Sequence, residues 1–274
     1  MLKNILRGSN MEKRFLVPKE IVNATINAGI TKGNIKTKNA IVLGILAGIF
    51  IGFGGLASSI ISQTLGGIDA GLSKFAGAAV FPVGLMLVVI AGAELFTGNN
   101  LMVLAYLNKK INSKQLFRNW ALVWVANLIG SLLLVLIVYW SGLLVGDAGV
   151  KTISTAQSKA TLTIGAMFTR AIMCNIMVVL AVWIATSAQD IISKIFACWF
   201  PIMLFVLCGF EHSVANMFFI PMGMVLGANV TMAQCVTNII IVTLGNIVGG
   251  ALFIPFMYHH AYLVDDKKIE EAKN

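Results

Sequence analysis

Several stretches of this chain are apolar for longer than a soluble helix requires, and that property decides most of what the sequence can fold into. A helix needs about 20 apolar residues to cross the hydrocarbon of a bilayer. Residues 40–65, 76–107, 117–145, 160–187, 195–227 and 235–262 each supply that length, two of them with an interruption. Hydrophobic residues make up 58% of the chain and charged residues 11%, whereas a soluble domain carries about 25% charged residues. The expected fold is an all-α integral membrane protein with six transmembrane helices. The net charge of +9 then becomes a question of which side the cations occupy, not a sign of nucleic-acid binding.

Eight Lys and Arg lie in residues 1–39, and Lys109, Lys110, Lys114 and Arg118 follow the second stretch. The opposite loops hold Lys74, Lys151 and Lys159 near their span ends. By the positive-inside rule both termini are expected on the cytoplasmic side of the cell membrane, which an even number of spans requires. The chain divides into a cytoplasmic segment 1–39, a transmembrane domain 40–262 and a cytoplasmic tail 263–274. Within the first segment, Ile21, Val22, Thr25, Ile26 and Gly29 share one helical face after Pro18, which predicts an amphipathic helix on the membrane surface. Residues 1–10 read as a basic tail, and residues 146–159 read as a loop. No apolar segment with a small-residue cleavage site precedes residue 40, so the first span is expected to be the first anchor.

Ionisable and amide side chains interrupt two apolar stretches, and in hydrocarbon such residues mark function or a polar network buried between helices. One interruption is Gly209-Phe210-Glu211-His212-Ser213-Val214-Ala215-Asn216; the other is Glu94-Leu95-Phe96-Thr97-Gly98-Asn99-Asn100. Both contain G-x-E-x4-N, the second copy lying 117 positions after the first (209 minus 92). Asn127 to Gly130 is answered by Asn246 to Gly249 at an offset of 119 (246 minus 127). Two matches at one spacing predict an inverted repeat of three plus three spans, with helices 2 and 5 broken near the midplane. Half-helix N-termini meeting there suit a small anion.

The two interruptions, together with Cys174-Asn175-Ile176-Met177-Val178, resemble the signatures of the formate/nitrite transporter family. The resemblance implies a homopentamer of aquaporin-like protomers embedded in membrane lipid, each protomer with its own pore for formate, nitrite, hydrosulfide or a similar monovalent anion. It also implies that Thr97 and His212 form a central polar pair, that Asn175 is a hydrogen-bond donor on the second side, and that Lys159 is a vestibule cation. Leu95, with Phe81 and Leu85, would form the cytoplasmic constriction, and Phe205 with Val178 the outer one. The side taken by Phe96 stays open.

Other readings stand beside these. Glu94, Asn99, Glu211 and Asn216 fit a loop-stabilising role, the carboxylates accepting freed backbone N–H groups. Lys159 alone also fits a snorkelling lysine, and nothing in the sequence names a partner for Arg170. His259 and His260 sit at a span end, where a helix-dipole role suffices. Cys174, Cys198, Cys208 and Cys235 lack metal-ligand spacing and read as small buried hydrophobes. No cofactor or metal is expected, and no H-E-x-x-H or G-x-S-x-G motif points to an enzyme. A neutral-solute channel of aquaporin type fits the architecture but not an ionisable group at the centre. Among anions the family favours formate, then hydrosulfide and nitrite.

Overall fold

The structure is a computed structural model that describes residues 15–264; the basic tail 1–10 and the end of the C-terminal tail lie outside the described residues. The described chain is helical, with one isolated bridge between Phe15 and Ala188. Among the described residues, five helices are long and apolar enough to cross a membrane: α2 (Thr37–Ile61), α3 (Ala70–Gly92), α5 (Ser113–Ser141), α7 (Ile164–Ser187) and α10 (Met232–Leu263). Two shorter apolar helices follow one another, α8 (Ile191–Leu207) and α9 (Ser213–Val225). The remaining helices are α1 (Pro18–Gly33), α4 (Val103–Leu107, entered through a 3-10 turn at Gly98–Met102) and α6 (Gly146–Ala160).

Local chemistry sets these boundaries. Asn112 and Gln115 close a capping box at the start of α5, and Gly142 ends it with φ 67°. Thr231 and Gln234 make the same box at the start of α10, 119 positions on (231 minus 112). Reciprocal side-chain and backbone bonds of this kind satisfy N–H groups that the first turn leaves free. The two interruptions also begin alike. Gly92 (φ 93°) ends α3 and Gly209 (φ 70°) follows α8, each in the left-handed region that a side chain disfavours.

The region read as a loop at residues 146–159 is instead helix α6. Its polar composition hides it from an apolar-run argument, but Ala148, Gly149, Thr152, Ala156 and Ala160 line up on one buried face, and that face packs on α9. A Cβ on Gly223 would strike Ala156, so small residues on both helices set the approach. Helix α1 buries Ile21, Val22, Thr25, Ile26 and Gly29 as its pattern predicts. Those residues pack on α4, its 3-10 entry and α7 rather than on lipid. Helices α1 and α6 thus hold matching places in the two halves.

Glycines set the closest helix contacts within the chain. A Cβ on Gly48 would meet the Asn127 carbonyl, and one on Gly130 the Ile45 carbonyl, so α2 and α5 touch backbone to backbone. Gly245 and Gly249 bring α10 equally close to Phe168 and Ile172 of α7. In hydrocarbon, van der Waals contact of this sort replaces the hydrophobic effect as the force between helices. Gly130→Ala is expected to cost about 1–3 kcal/mol through overpacking, read as a lower melting temperature in detergent. Gly165→Ala, whose added methyl meets nothing within 4 Å, is the control; equal melting of both variants would contradict the close approach.

Candidate functional site

The residues between the paired interruptions are held by two copies of one polar frame. In the first, Lys32 Nζ lies 2.6 Å from Glu94 Oε1, and Asn99 donates to Glu94 Oε2 at 2.6 Å and to Asn119 Oδ1 at 2.9 Å. Asn119 in turn donates to the Lys32 carbonyl at 3.0 Å. In the second, Lys159 Nζ lies 2.9 Å from Glu211 Oε1, and Asn216 donates to Glu211 Oε2 at 2.6 Å and to Asn238 Oδ1 at 2.7 Å. Asn238 donates to the Lys159 carbonyl at 2.9 Å.

The carboxylates therefore accept from asparagine and lysine side chains, not chiefly from backbone N–H groups as the sequence led us to expect. The freed backbone is served by two other asparagines. Asn127 accepts from Phe96 N–H and donates to the carbonyls of Gly44 and Glu94. Asn246 accepts from Ser213 N–H and donates to the carbonyls of Ala171 and Glu211. Glu94 N–H reaches the Leu43 carbonyl, and Glu211 N–H the Arg170 carbonyl. Every one of these bonds has its counterpart in the other half, and together they leave the irregular backbone's polar groups paired within the protein.

The frame is symmetric but its contents are not. His212 caps α9: its Nδ1 accepts from Ala215 N–H at 3.1 Å, and its Nε2 lies 2.8 Å from Thr97 Oγ1. Because Nδ1 is an acceptor, the hydrogen-bond pattern assigns the ring proton to Nε2, from which it is donated to the threonine. The ring also stacks on Phe205, with centroids 5.9 Å apart. The equivalent position in the first half is Leu95, also buried, and Thr97 corresponds to Val214.

Two cavities meet at this point. A vestibule of about 470 Å³ has hydroxyls and cations on its walls and ends at Phe81, Phe205 and His212. Beyond those three lies a chamber of about 10 Å³, otherwise lined by Ile51, Leu85, Leu95, Val178 and Ile202. That volume is about the least that admits one water, and its walls are apolar apart from the imidazole. Phe81 meets Phe205 edge to face at 5.7 Å and stacks on Phe219 at 6.3 Å. Phe81 therefore stands with Phe205 where the vestibule meets the chamber, and it shares the chamber wall with Leu85 and Leu95. Val178 lines the chamber with Leu85 and Leu95 and does not reach the vestibule.

Other expected site residues fall elsewhere. Asn175 lines neither cavity; its amide group donates to the carbonyls of Thr97 and Asn246 and to Asn100 Oδ1, at 3.3, 2.7 and 2.9 Å. It ties the first interruption to α10, so its donors are already taken. Phe96 points away from both cavities and lies edge-on to Trp120, at 6.2 Å between centroids. Lys159 does line the vestibule, 5.5 Å above the Phe219 ring, but its ammonium is held by Glu211. Cys208, expected to be buried, is exposed in the second interruption and lines the vestibule.

The sequence reading missed Lys32, Asn119, Asn238 and Asn100. A signal for the first existed: Lys32 precedes Lys159 by 127 positions, the same offset as Gly44 to Ala171 and Leu43 to Arg170.

The formate/nitrite transporter family model matches residues 19–260 of the chain. The probable formate transporter of Methanothermobacter thermautotrophicus is 45% identical over 276 residues, covering 92% of this chain and 99% of that relative. The uncharacterized transporter YrhG of Bacillus subtilis (strain 168) is 44% identical over 265 residues, covering 94% and 98%. Among solved structures, a pentameric formate channel with formate bound is similar at 34% identity and a TM-score of 0.77, over 83% of this chain and 98% of that one. An FNT family ion channel is similar at 28% identity and a TM-score of 0.83, over 88% and 98%.

Proposed function

The chain belongs to the formate/nitrite transporter family, and from that premise we propose that it passes small monovalent anions of weak acids, formate foremost, across the cytoplasmic membrane. The observation that carries this reading is that Phe81, Phe205 and His212 alone line both the polar vestibule and the apolar chamber. An ion leaving the vestibule must pass two aromatic rings and one hydrogen-bond donor.

An anion entering the chamber sheds water at a cost of several kcal/mol or more, which nothing apolar there repays. His212 offers Nε2–H as a replacement donor by turning it from Thr97 to the ion. An anion that takes a proton from hydronium in the vestibule water crosses as a neutral acid, leaving water behind, so weak-acid anions cross more readily than chloride. Leu85, Leu95 and Val178 then form the second constriction. Lys159 masks the carboxylate of Glu211, which would otherwise repel anions at the mouth of the passage. Asn175 keeps Thr97 facing His212. The frame residues Glu94, Asn99, Glu211 and Asn216 hold the interruptions in shape.

The proposed architecture has six membrane-crossing units. The second is α3 with α4, and the fifth is α8 with α9. Five protomers assemble around a common axis, each with its own passage. The ends bearing Lys32, Lys36, Lys109, Lys110 and Lys114 face the cytoplasm by the positive-inside rule, and the vestibule faces outward.

Proteoliposome flux of formate, nitrite, hydrosulfide, chloride and glycerol under equal gradients tests the reading. Formate is expected to pass well ahead of chloride, and Phe205→Val to raise formate flux by about two- to fivefold by widening a dewetted constriction. Glycerol passing in place of the anions would favour the neutral-solute channel and overturn the proposal.

A further inference from the structure

The vestibule wall carries four cations and one carboxylate: Lys74, Lys151, Lys159 and Arg170 against Glu211. The Lys159 ammonium and Glu211 neutralise one another, and the same pair recurs as Lys32 with Glu94 at the far end of the repeat. A feature present at both ends belongs to the frame. Arg170 differs. Its counterpart is Leu43, and the frame uses only the backbone carbonyl of either residue, to receive Glu211 or Glu94 N–H. Its guanidinium is exposed and has no ion pair or hydrogen bond among the described residues. The fold has no need of that charge, yet it lies on the wall of the cavity that leads to His212.

A second, independent observation comes from another helix that lines the vestibule. Ser59, on α2, lines the same vestibule and is 3% exposed, yet its hydroxyl has no hydrogen-bond partner. A buried hydroxyl left unpaired costs about 1–3 kcal/mol. Its neighbours are satisfied: Ser62 donates to the Ser58 carbonyl and Ser73 to the Ser62 carbonyl. The Ser59 hydroxyl is therefore a spare donor on the wall of an electropositive cavity.

We propose that Arg170 and Ser59 form an anion-capture station in the vestibule that selects planar, two-oxygen anions before they reach the Phe81–Phe205 constriction. The guanidinium presents parallel N–H donors whose spacing matches the two oxygens of a carboxylate or of nitrite. A single-atom anion such as chloride or hydrosulfide engages only one of them. Lys74 and Lys151 add attraction without geometry, since an ammonium acts as a point charge. The station rests on the anion-channel reading above and narrows its substrate class to two-oxygen anions. It lies outside the constriction, so it governs how flux saturates with concentration, not the maximal flux.

The test is the concentration dependence of formate, nitrite and hydrosulfide flux in proteoliposomes of intact protein, matched by melting temperature. Arg170→Lys keeps the charge and removes the fork. It is expected to raise the half-saturating concentration about fivefold for formate and nitrite, the scale of a partly solvated charged contact, and to leave hydrosulfide and every maximal flux unchanged. Arg170→Gln is expected to raise it for all three anions, and Ser59→Ala about two- to threefold for formate. Equal shifts for formate and hydrosulfide in Arg170→Lys would overturn the selecting station, as would no shift in any of the three variants. Those failures leave the channel reading standing. A wild-type protein that carries none of the anions overturns both.

Discussion

Replacing His212 by phenylalanine is expected to lower formate flux by about a hundredfold, the scale on which a positioned proton-bearing group acts, while the protein remains folded. Phenylalanine fills the ring's place beside Phe205 but removes both the Nε2–H donor and the Nδ1 acceptor that caps α9. Loss of the cap costs about 1 kcal/mol, small beside the frame bonds that remain. Asparagine at the same position restores a donor and is expected to recover part of the flux. His212 is the only histidine lining either cavity, and an asparagine amide cannot exchange a proton with its surroundings as an imidazole can. The dependence of flux on pH is therefore expected to flatten in His212→Asn. Flux measured against pH on protein matched by melting temperature decides the matter: a wild-type profile in that variant would remove His212 from the passage.

Glu211→Ala is expected to act on stability instead, costing about 3–5 kcal/mol because it leaves a buried partner charge uncompensated. Lys159 has 16% of its side chain exposed and Glu211 4%, so little water can replace the lost carboxylate, and Asn216 loses an acceptor as well. In the other half the Lys32 side chain is 29% exposed, and Glu94→Ala is expected to fall at the lower end of the range. The double variant Glu211→Leu with Lys159→Met removes both charges and is expected to regain part of the loss. Thermal melting in detergent checks the series. A Glu211→Ala protein that melts with the wild type would show that the frame does not hold the interruption.

Much of the fold was open to a reading of residues alone, because hydrocarbon permits few arrangements. The apolar runs locate the long helices to within a few residues, and G-x-E-x4-N marks both interruptions. What escaped did so for identifiable reasons. Helix α6 has too few apolar residues for a run, and only comparison with α1 reveals it. That comparison is obscured because the offset between halves is 127 from Lys32 to Lys159, 117 from Glu94 to Glu211 and 119 from Asn127 to Asn246. The segment between α2 and α3 is longer than the one between α7 and α8, and α3 is longer than α8; together these shift the register between the first and second matches. Within the site, the pairing of Thr97 with His212 was expected from the family resemblance carried by the two interruptions, and the two side chains do meet. The grouping of Phe81 with Phe205 depends on which turn of α3 faces α8, and linear spacing does not carry that information. Asn175 was expected to be a pore donor only through the family resemblance; the role it has is to bind Asn100 and the backbone carbonyls of Asn246 and Thr97.

The frame is written twice while the residues it presents are written once: histidine answers leucine and threonine answers valine across the repeat. A chain built this way keeps its tolerance for change where its chemistry lies. Lineages that inherit the lysine, glutamate and asparagine sets can exchange what stands at positions 95, 97, 212 and 214 without renegotiating the scaffold. Exchanging the residues at Leu95 and His212 would move the imidazole from one half to the other while every frame residue stays where it is.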